Sequence, residues 1–114
     1  MLKCLRSWVW YTKVICNEII SKAYNQVIKR TDHLAHAEIL AIKKATRKLK
    51  KISLRGYKIY TTLEPCLLCS YAISKYFIST VYFGAYDTKN GSIENGFRIF
   101  NTEYKGFRPD VYGG

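Results

Sequence analysis

The apolar positions of this chain change period along its length, and each change marks an element. Residues 8–15, Trp-Val-Trp-Tyr-Thr-Lys-Val-Ile, form a β-branched and aromatic run that reads as a strand, interrupted by Lys13. Cys16-Asn17-Glu18 turns the chain into a second strand over 18–24, and 25–35 is a polar loop. From His36 to about Lys51 good helix formers take over. Ile39, Ile42, Ala45 or Thr46, and Leu49 recur there at helical spacing and predict the buried stripe. After Gly56, residues 57–62 read as a strand, 66–77 as a helix and 79–85 as another strand. Beyond Ala85, glycines at 91, 96 and 106 among polar residues predict loop with room for one helical turn. A short last strand is expected at 108–112.

Strands alternating with helices favour parallel neighbours joined by crossover helices. The expected fold is therefore α/β, a mixed sheet of four to five strands with helices on its faces. A length of 114 residues suits a single domain, 1–114, with a modest core. No internal repeat, low-complexity segment or linker is visible.

Two short stretches carry candidate chemistry: His36-Ala37-Glu38 and Glu64-Pro65-Cys66-Leu67-Leu68-Cys69. A working zinc site commonly takes three protein ligands and leaves one tetrahedral position for water. His36, Cys66 and Cys69 make such a set. The two cysteines, three apart, share a helix face, and Pro65 suits the first turn, whose unpaired N–H groups favour thiolate. Residues two apart within a helix point away from each other, so His36 and Glu38 converge only beyond a helix end. Both motifs are thus expected at helix starts that face each other. Glu38, beside the open position, is the candidate general acid/base.

Blander readings apply to the neighbours. A Cys-x-x-C alone would serve redox chemistry equally well, and the upstream His-x-Glu is what favours metal. His33 reads as a loop residue. Glu64 is expected to interact with the helix start it precedes, and Asp32 to fix the approach to His36 by local hydrogen bonds. Tyr71, Tyr76, Tyr82 and Tyr86 offer stacking surface in principle, and none is singled out.

His-x-Glu followed by Pro-Cys-x-x-Cys is the signature of zinc nucleobase deaminases. His36-Ala37-Glu38-Ile39, Thr62-Leu63-Glu64-Pro65-Cys66, Phe83-Gly84-Ala85 and Asp87-Thr88-Lys89-Asn90-Gly91 closely resemble the bacterial tRNA-specific adenosine deaminases, over roughly residues 18–112. The zinc motif alone marks the superfamily, and the run from Phe83 to Gly91 narrows it to the tRNA branch. That resemblance implies a cytidine-deaminase-like three-layer fold, one Zn2+ per chain, and hydrolytic deamination of adenosine to inosine in RNA, at the tRNA anticodon wobble position. It also implies a homodimer. Asn25, eleven residues before His36, is implied to hydrogen-bond the purine, and Asp87 and Lys89 to lie at the mouth of the cleft. The target base has to be unpaired or flipped out to reach the metal. In that family a helix precedes the hairpin and another closes the domain. With little chain before the first strand here and Gly113-Gly114 after the last, self-association or marginal stability is expected. Two alternatives stand beside this reading: a deaminase of a free guanine- or cytosine-type base or nucleotide, and a shortened zinc-binding relative without turnover.

Charge agrees with an RNA partner. Nineteen Lys and Arg against eight Asp and Glu leave +11, a bias toward polyanions. Asp32, Glu38, Glu64 and Asp87 nonetheless fall in or beside the motifs. Lys43, Lys44, Arg47, Lys48, Lys50 and Lys51 read as a solvated helix face that adds positive field. Cys4 and Cys16 lack spaced partners, so no disulfide framework is expected; free thiols and a thiolate metal site fit a reducing, cytoplasmic setting. No apolar run approaches membrane-spanning length. The first seventeen residues lack acids and contain Lys3, Arg6 and Lys13, like a targeting segment. Their apolar run from Trp8 is short and broken by Lys13, so none is expected.

Overall fold

A computed structural model describes residues 11–114 of the chain; the predicted strand residues 8–10 and Cys4 lie outside them. Five strands form one mixed sheet: β1 Tyr11–Cys16, β2 Glu18–Tyr24, β3 Lys58–Leu63, β4 Thr80–Ala85 and β5 Asp110–Gly113. Their order is β2-β1-β3-β4-β5. β1 runs antiparallel to both β2 and β3, while β3, β4 and β5 are parallel, as crossover connections require. Asn17 adopts φ 67 between β1 and β2, the left-handed conformation that asparagine tolerates in a tight turn.

Helix α2, Ala37–Leu49, packs against β1 and β2, and α3, Leu67–Lys75, follows β3. Their buried side chains, among them Leu40, Ile42, Ala45 and Ile73, meet Val14, Ile59 and Val81 in one core. The predicted stripe is offset from the observed one. Ile42 and Ala45 are buried as expected, but Ile39 and Leu49 are only half-buried, and Ala37, Leu40 and Ala41 take the centre. Ala37, Ala41 and Ala45 stand at four-residue spacing, so their small side chains let the helix lie close to the sheet. Ser21 Oγ accordingly reaches the Ala41 carbonyl at 2.7 Å. The basic residues of α2 named above are exposed, as a solvated face should be.

Inside the predicted 25–35 loop the chain makes one helical turn, α1 Val27–Arg30, which buries no residue and closes at Thr31 with φ 51. α2 ends at Lys50, whose φ of 54 is left-handed without being glycine. A single 3-10 turn, Ile99–Asn101, interrupts the long connection to β5.

Candidate active site

His36 is the N-cap of α2 and Cys66 the N-cap of α3, both with extended backbone, and neither side chain caps its own helix. The imidazole and thiol are therefore free to face each other, and His36 Nδ1 lies 3.8 Å from Cys66 Sγ. One donor atom from each of His36, Cys66 and Cys69 falls within 4.8 Å of the others. Bond lengths of about 2.3 Å to sulfur and about 2.0 Å to nitrogen place tetrahedral zinc donors about 3.5–3.8 Å apart. The trio fits that ion with little movement. α3 starts one residue later than expected, which puts Pro65 just outside the helix and Cys69 in its first turn.

The four side chains set one another's charge. Burial pushes the Glu38 carboxyl up to about 7, helped by the neighbouring Cys66 thiolate and opposed by its own backbone N–H, His36 and the Cys69 thiol. Cys66 is held down to about 5. The Cys69 thiol donates to it, the Cys69 and Leu68 N–H groups and nearby His36 add to the effect, and partial burial opposes it. Cys69 moves strongly upward because it donates to Cys66, is fully buried, and faces the Glu38 carboxylate. Without metal the site thus holds one thiolate, one thiol and a carboxyl poised near neutrality.

His36, Glu38 and Cys66 open onto a pocket of about 440 Å³ whose wall also includes Asn25, Thr61, Asp87 and Asn90, while Cys69 is fully buried outside that wall. Asn25 and Asp87, expected at the substrate, are thus brought to the pocket. Asn25 Oδ1 accepts the Val27 N–H at 3.1 Å. Lys89, expected with them, is not part of the wall: its backbone N–H and that of Asn90 bind Asp87 Oδ1 at 3.0 and 2.9 Å, and its side chain is exposed. Asn90 lines the pocket instead. Asp32 behaves as expected, its carboxylate taking the Leu34 N–H at 2.9 Å and its carbonyl the Ala35 N–H at 3.0 Å, just before His36.

Glu64 does something the sequence reading assigned elsewhere. Its carboxylate, almost fully buried, turns away from the α3 start and toward the segment 87–95. Oε1 accepts the Asp87 N–H at 3.0 Å and the Asn95 amide at 2.7 Å. Oε2 accepts the backbone N–H groups of Ile93, Glu94 and Asn95 at 3.0, 2.7 and 3.0 Å. Burial alone would raise this carboxyl, yet the Asn95 amide and the N–H groups of Glu94, Asp87 and Asn95 outweigh it and hold the group below the usual carboxylate range. Gly91 completes the fit, since a Cβ there would lie 2.5 Å from both Glu64 Cδ and the Asp87 carbonyl oxygen. The residue two positions before the zinc-site cysteine Cys66 therefore shapes the opposite wall of the pocket.

Residues 12–85 match the family described as the cytidine and deoxycytidylate deaminase zinc-binding region. The chain belongs to this family. Within these zinc deaminases, the tRNA-specific adenosine deaminase of Rickettsia bellii is 41% identical over 97 residues, covering 85% of this chain and 67% of that protein. The tRNA-specific adenosine deaminase of Aquifex aeolicus is 49% identical over 84 residues, 74% of this chain and 56% of its own. The chain thus spans about two thirds of the first relative's length and just over half of the second's. A structure from a study of A-to-I editing by tRNA:A34 deaminases at the transfer-RNA wobble position superposes with a TM-score of 0.89 at 37% identity, covering 92% of this chain and 82% of that one. Guanine deaminase from Bacillus subtilis superposes with a TM-score of 0.66 at 32% identity, covering 68% and 50%. The tRNA-branch resemblance, the deaminase fold and zinc as the cofactor, all expected from the sequence, are borne out together, and His36, Cys66 and Cys69 form a group that could hold the ion.

Proposed function

We propose that this chain deaminates adenosine to inosine in RNA, with the wobble position of a tRNA anticodon loop as its substrate. The observation that carries the reading is the buried Glu38 carboxyl close to the His36, Cys66 and Cys69 donor set, with Glu38, His36 and Cys66 lining one pocket. The tRNA-specific relatives supply the substrate class.

Zinc held by the three donors supplies a Lewis acid that makes water nucleophilic near neutral pH. Glu38 takes the proton that this water loses on attacking C6 and passes it to purine N1. It then takes the remaining hydroxyl proton and delivers it to the exocyclic amine, which departs as ammonia. One water is consumed, and C6 becomes a carbonyl. A carboxyl poised near neutrality suits both directions of transfer. Asn25 and Asn90 offer amides to the base edge, while Asp87 shapes the mouth of the cleft. The basic chain holds phosphates, so binding weakens as salt rises.

The same reading makes the protein cytoplasmic and a homodimer. Leu67, Leu68 and Tyr71, each 40–45% exposed along α3, supply an apolar surface for a second copy. No helix among the described residues is long and apolar enough to cross a membrane.

The test is inosine formation in an anticodon stem-loop by zinc-loaded protein, with Glu38→Ala as control. Loss of product with zinc retained supports the assignment. Absence of inosine from folded, zinc-bound wild type would overturn it. The likeness to guanine deaminase favours a second substrate class, so release of ammonia from free guanine and cytosine belongs in the same assay.

A further inference from the structure

We propose that the outer face of the sheet is a second binding surface, for single-stranded RNA outside the segment that carries the target base. Strand register sets Lys22, Lys13, Tyr60, Tyr82 and Tyr112 side by side in one row across β2, β1, β3, β4 and β5. The alternate residues Val14, Ile59, Val81 and Val111 point to the helix-covered core, so this row points the other way.

Each part of the row has a feature that an unpaired polynucleotide satisfies. The tyrosine rings stack on one another: Tyr60 on Tyr82 with centroids 4.4 Å apart and planes 12° apart, Tyr82 on Tyr112 at 5.1 Å and 18°. The stack ends on the edge strand, where Tyr112 is 57% exposed and has no further aromatic partner among the described residues. A base can continue it there. At the other end Lys13 and Lys22 are directly opposed across antiparallel strands, an arrangement that costs stability unless an anion lies over it. Lys58, in the neighbouring row, adds a third cation, with Asp110 two strands away across Thr80. Beside the row, Gly84, which carries no side chain, borders a hollow of about 570 Å³ that Lys13, Tyr60, Tyr82, Tyr112 and Gly114 also line.

Stacking surface that continues into a cationic end matches bases joined to phosphates, whereas an acidic protein segment would use the lysines and leave the ring stack idle. The three strand spacings between Lys13 and Tyr112 span about 14 Å, so phosphates at one end and a stacked base at the other belong to one short strand. Tyr60 of β3 borders only this hollow, while the next residue, Thr61, borders both the hollow and the active-site pocket, so β3 alone stands between the two surfaces. The choice of RNA over DNA as partner rests on the deaminase reading.

The experiment measures binding of a fluorescently labelled uridine-only dodecamer to the full, zinc-loaded chain by anisotropy over a range of salt. It contains no adenosine, so binding is read independently of deamination. Tyr112→Ala is expected to weaken binding about five- to a hundredfold, with Tyr112→Phe close to wild type. Lys13→Glu combined with Lys22→Glu is expected to weaken binding and flatten its salt dependence. Inosine formation in a minimal anticodon stem-loop should be unchanged by these variants. Wild-type oligomer affinity in folded Tyr112→Ala and in the double lysine variant would overturn the proposal. A change in sedimentation instead of RNA affinity would also overturn it and assign the face to a second copy. Oligomer binding that follows this pattern without any inosine would leave this surface standing and sink the deaminase reading alone.

Discussion

Glu64 and Asn95 hold each other by two bonds: the Asn95 amide donates to Oε1 at 2.7 Å, and its backbone N–H donates to Oε2 at 3.0 Å. Glu64 thus ties the chain just before Cys66 to the segment that presents Asp87 and Asn90. A glutamine in its place would turn an NH2 group toward N–H donors. Glu64→Gln is expected to cost about 3 kcal/mol of stability, because bonds to a buried carboxylate are among the stronger ones. Its KM should rise while zinc content stays at one per chain. Denaturant melts, metal analysis and steady-state kinetics check the three parts, and an unchanged KM would show that the wall does not depend on the clamp.

The same carboxyl sets an acid limit on stability. Its folded value lies below the ordinary 4.5. Above that ordinary value both folded and unfolded states are ionised and the stabilisation is complete. As pH falls below 4.5 the unfolded state takes up its proton first, and the stabilisation fades as pH drops through the folded value. Wild type should therefore lose stability on acidification more steeply than Glu64→Gln, and melts between pH 6 and about pH 3 would show the two converging.

Gly91→Ala is expected to be damaging for a steric reason. The new methyl would meet the Asp87 carbonyl oxygen and the Glu64 carboxyl at 2.5 Å, so one of them has to move. Overpacking of this kind costs about 1–3 kcal/mol. The displaced wall should lower kcat/KM in the inosine assay. A variant with wild-type melting and kinetics would contradict the fit.

In metal-free, reduced protein the two motif cysteines should differ sharply. Cys66, with its thiol held down to about 5 and only half-buried, should be alkylated by iodoacetamide at a rate that levels off above about pH 6. The buried Cys69, pushed the other way, should stay unmodified. Peptide mapping by mass spectrometry reads each site. Added zinc should protect Cys66, and equal labelling of the pair would contradict the assigned protonation states.

Ser92 Oγ is buried without a hydrogen-bond partner among the described residues. Its backbone is well used, the N–H bonding Pro65 O at 3.0 Å, so only the hydroxyl is unsatisfied. Ser92→Ala should raise stability by about 1 kcal/mol with activity intact. A destabilised variant would mean that the hydroxyl has a partner.

What the sequence revealed of the site depended on how local the physics was. His36, Cys66 and Cys69 were legible because helix geometry fixes which neighbours share a face, and Glu38 because its spacing from His36 demands a helix end. Glu64 was assigned a local partner because a residue before a helix ordinarily has one. Its actual donors are mostly backbone N–H groups 23 to 31 positions away, and no side chain advertises those. The same limit hid the pocket role of Asn90. In the fold, period and composition located every strand and the two long helices. α1 gave no signal because it buries nothing, and the centre of the α2 stripe was misplaced because alanines fill it. The end of α2 carries no glycine to mark it, since Lys50 takes the left-handed conformation itself.

The antiparallel seam between β1 and β3 also fixes an order of events. Thr12 and Thr61, whose hydroxyls bond at 3.1 Å in the interior, are 49 positions apart, whereas β1 and β2 meet across a tight turn. The hairpin with α2, and the β3-α3-β4 unit, can each gain structure from nearby chain. Their union has to close a long loop and comes later. His36 and Glu38 belong to the first half and Cys66 and Cys69 to the second. During refolding, pulse-labelled hydrogen exchange should protect the β1–β2 amides before those of the β1–β3 seam, with zinc uptake following the seam. The catalytic centre is then the last part of the molecule to exist, and its appearance reports that the two halves have met.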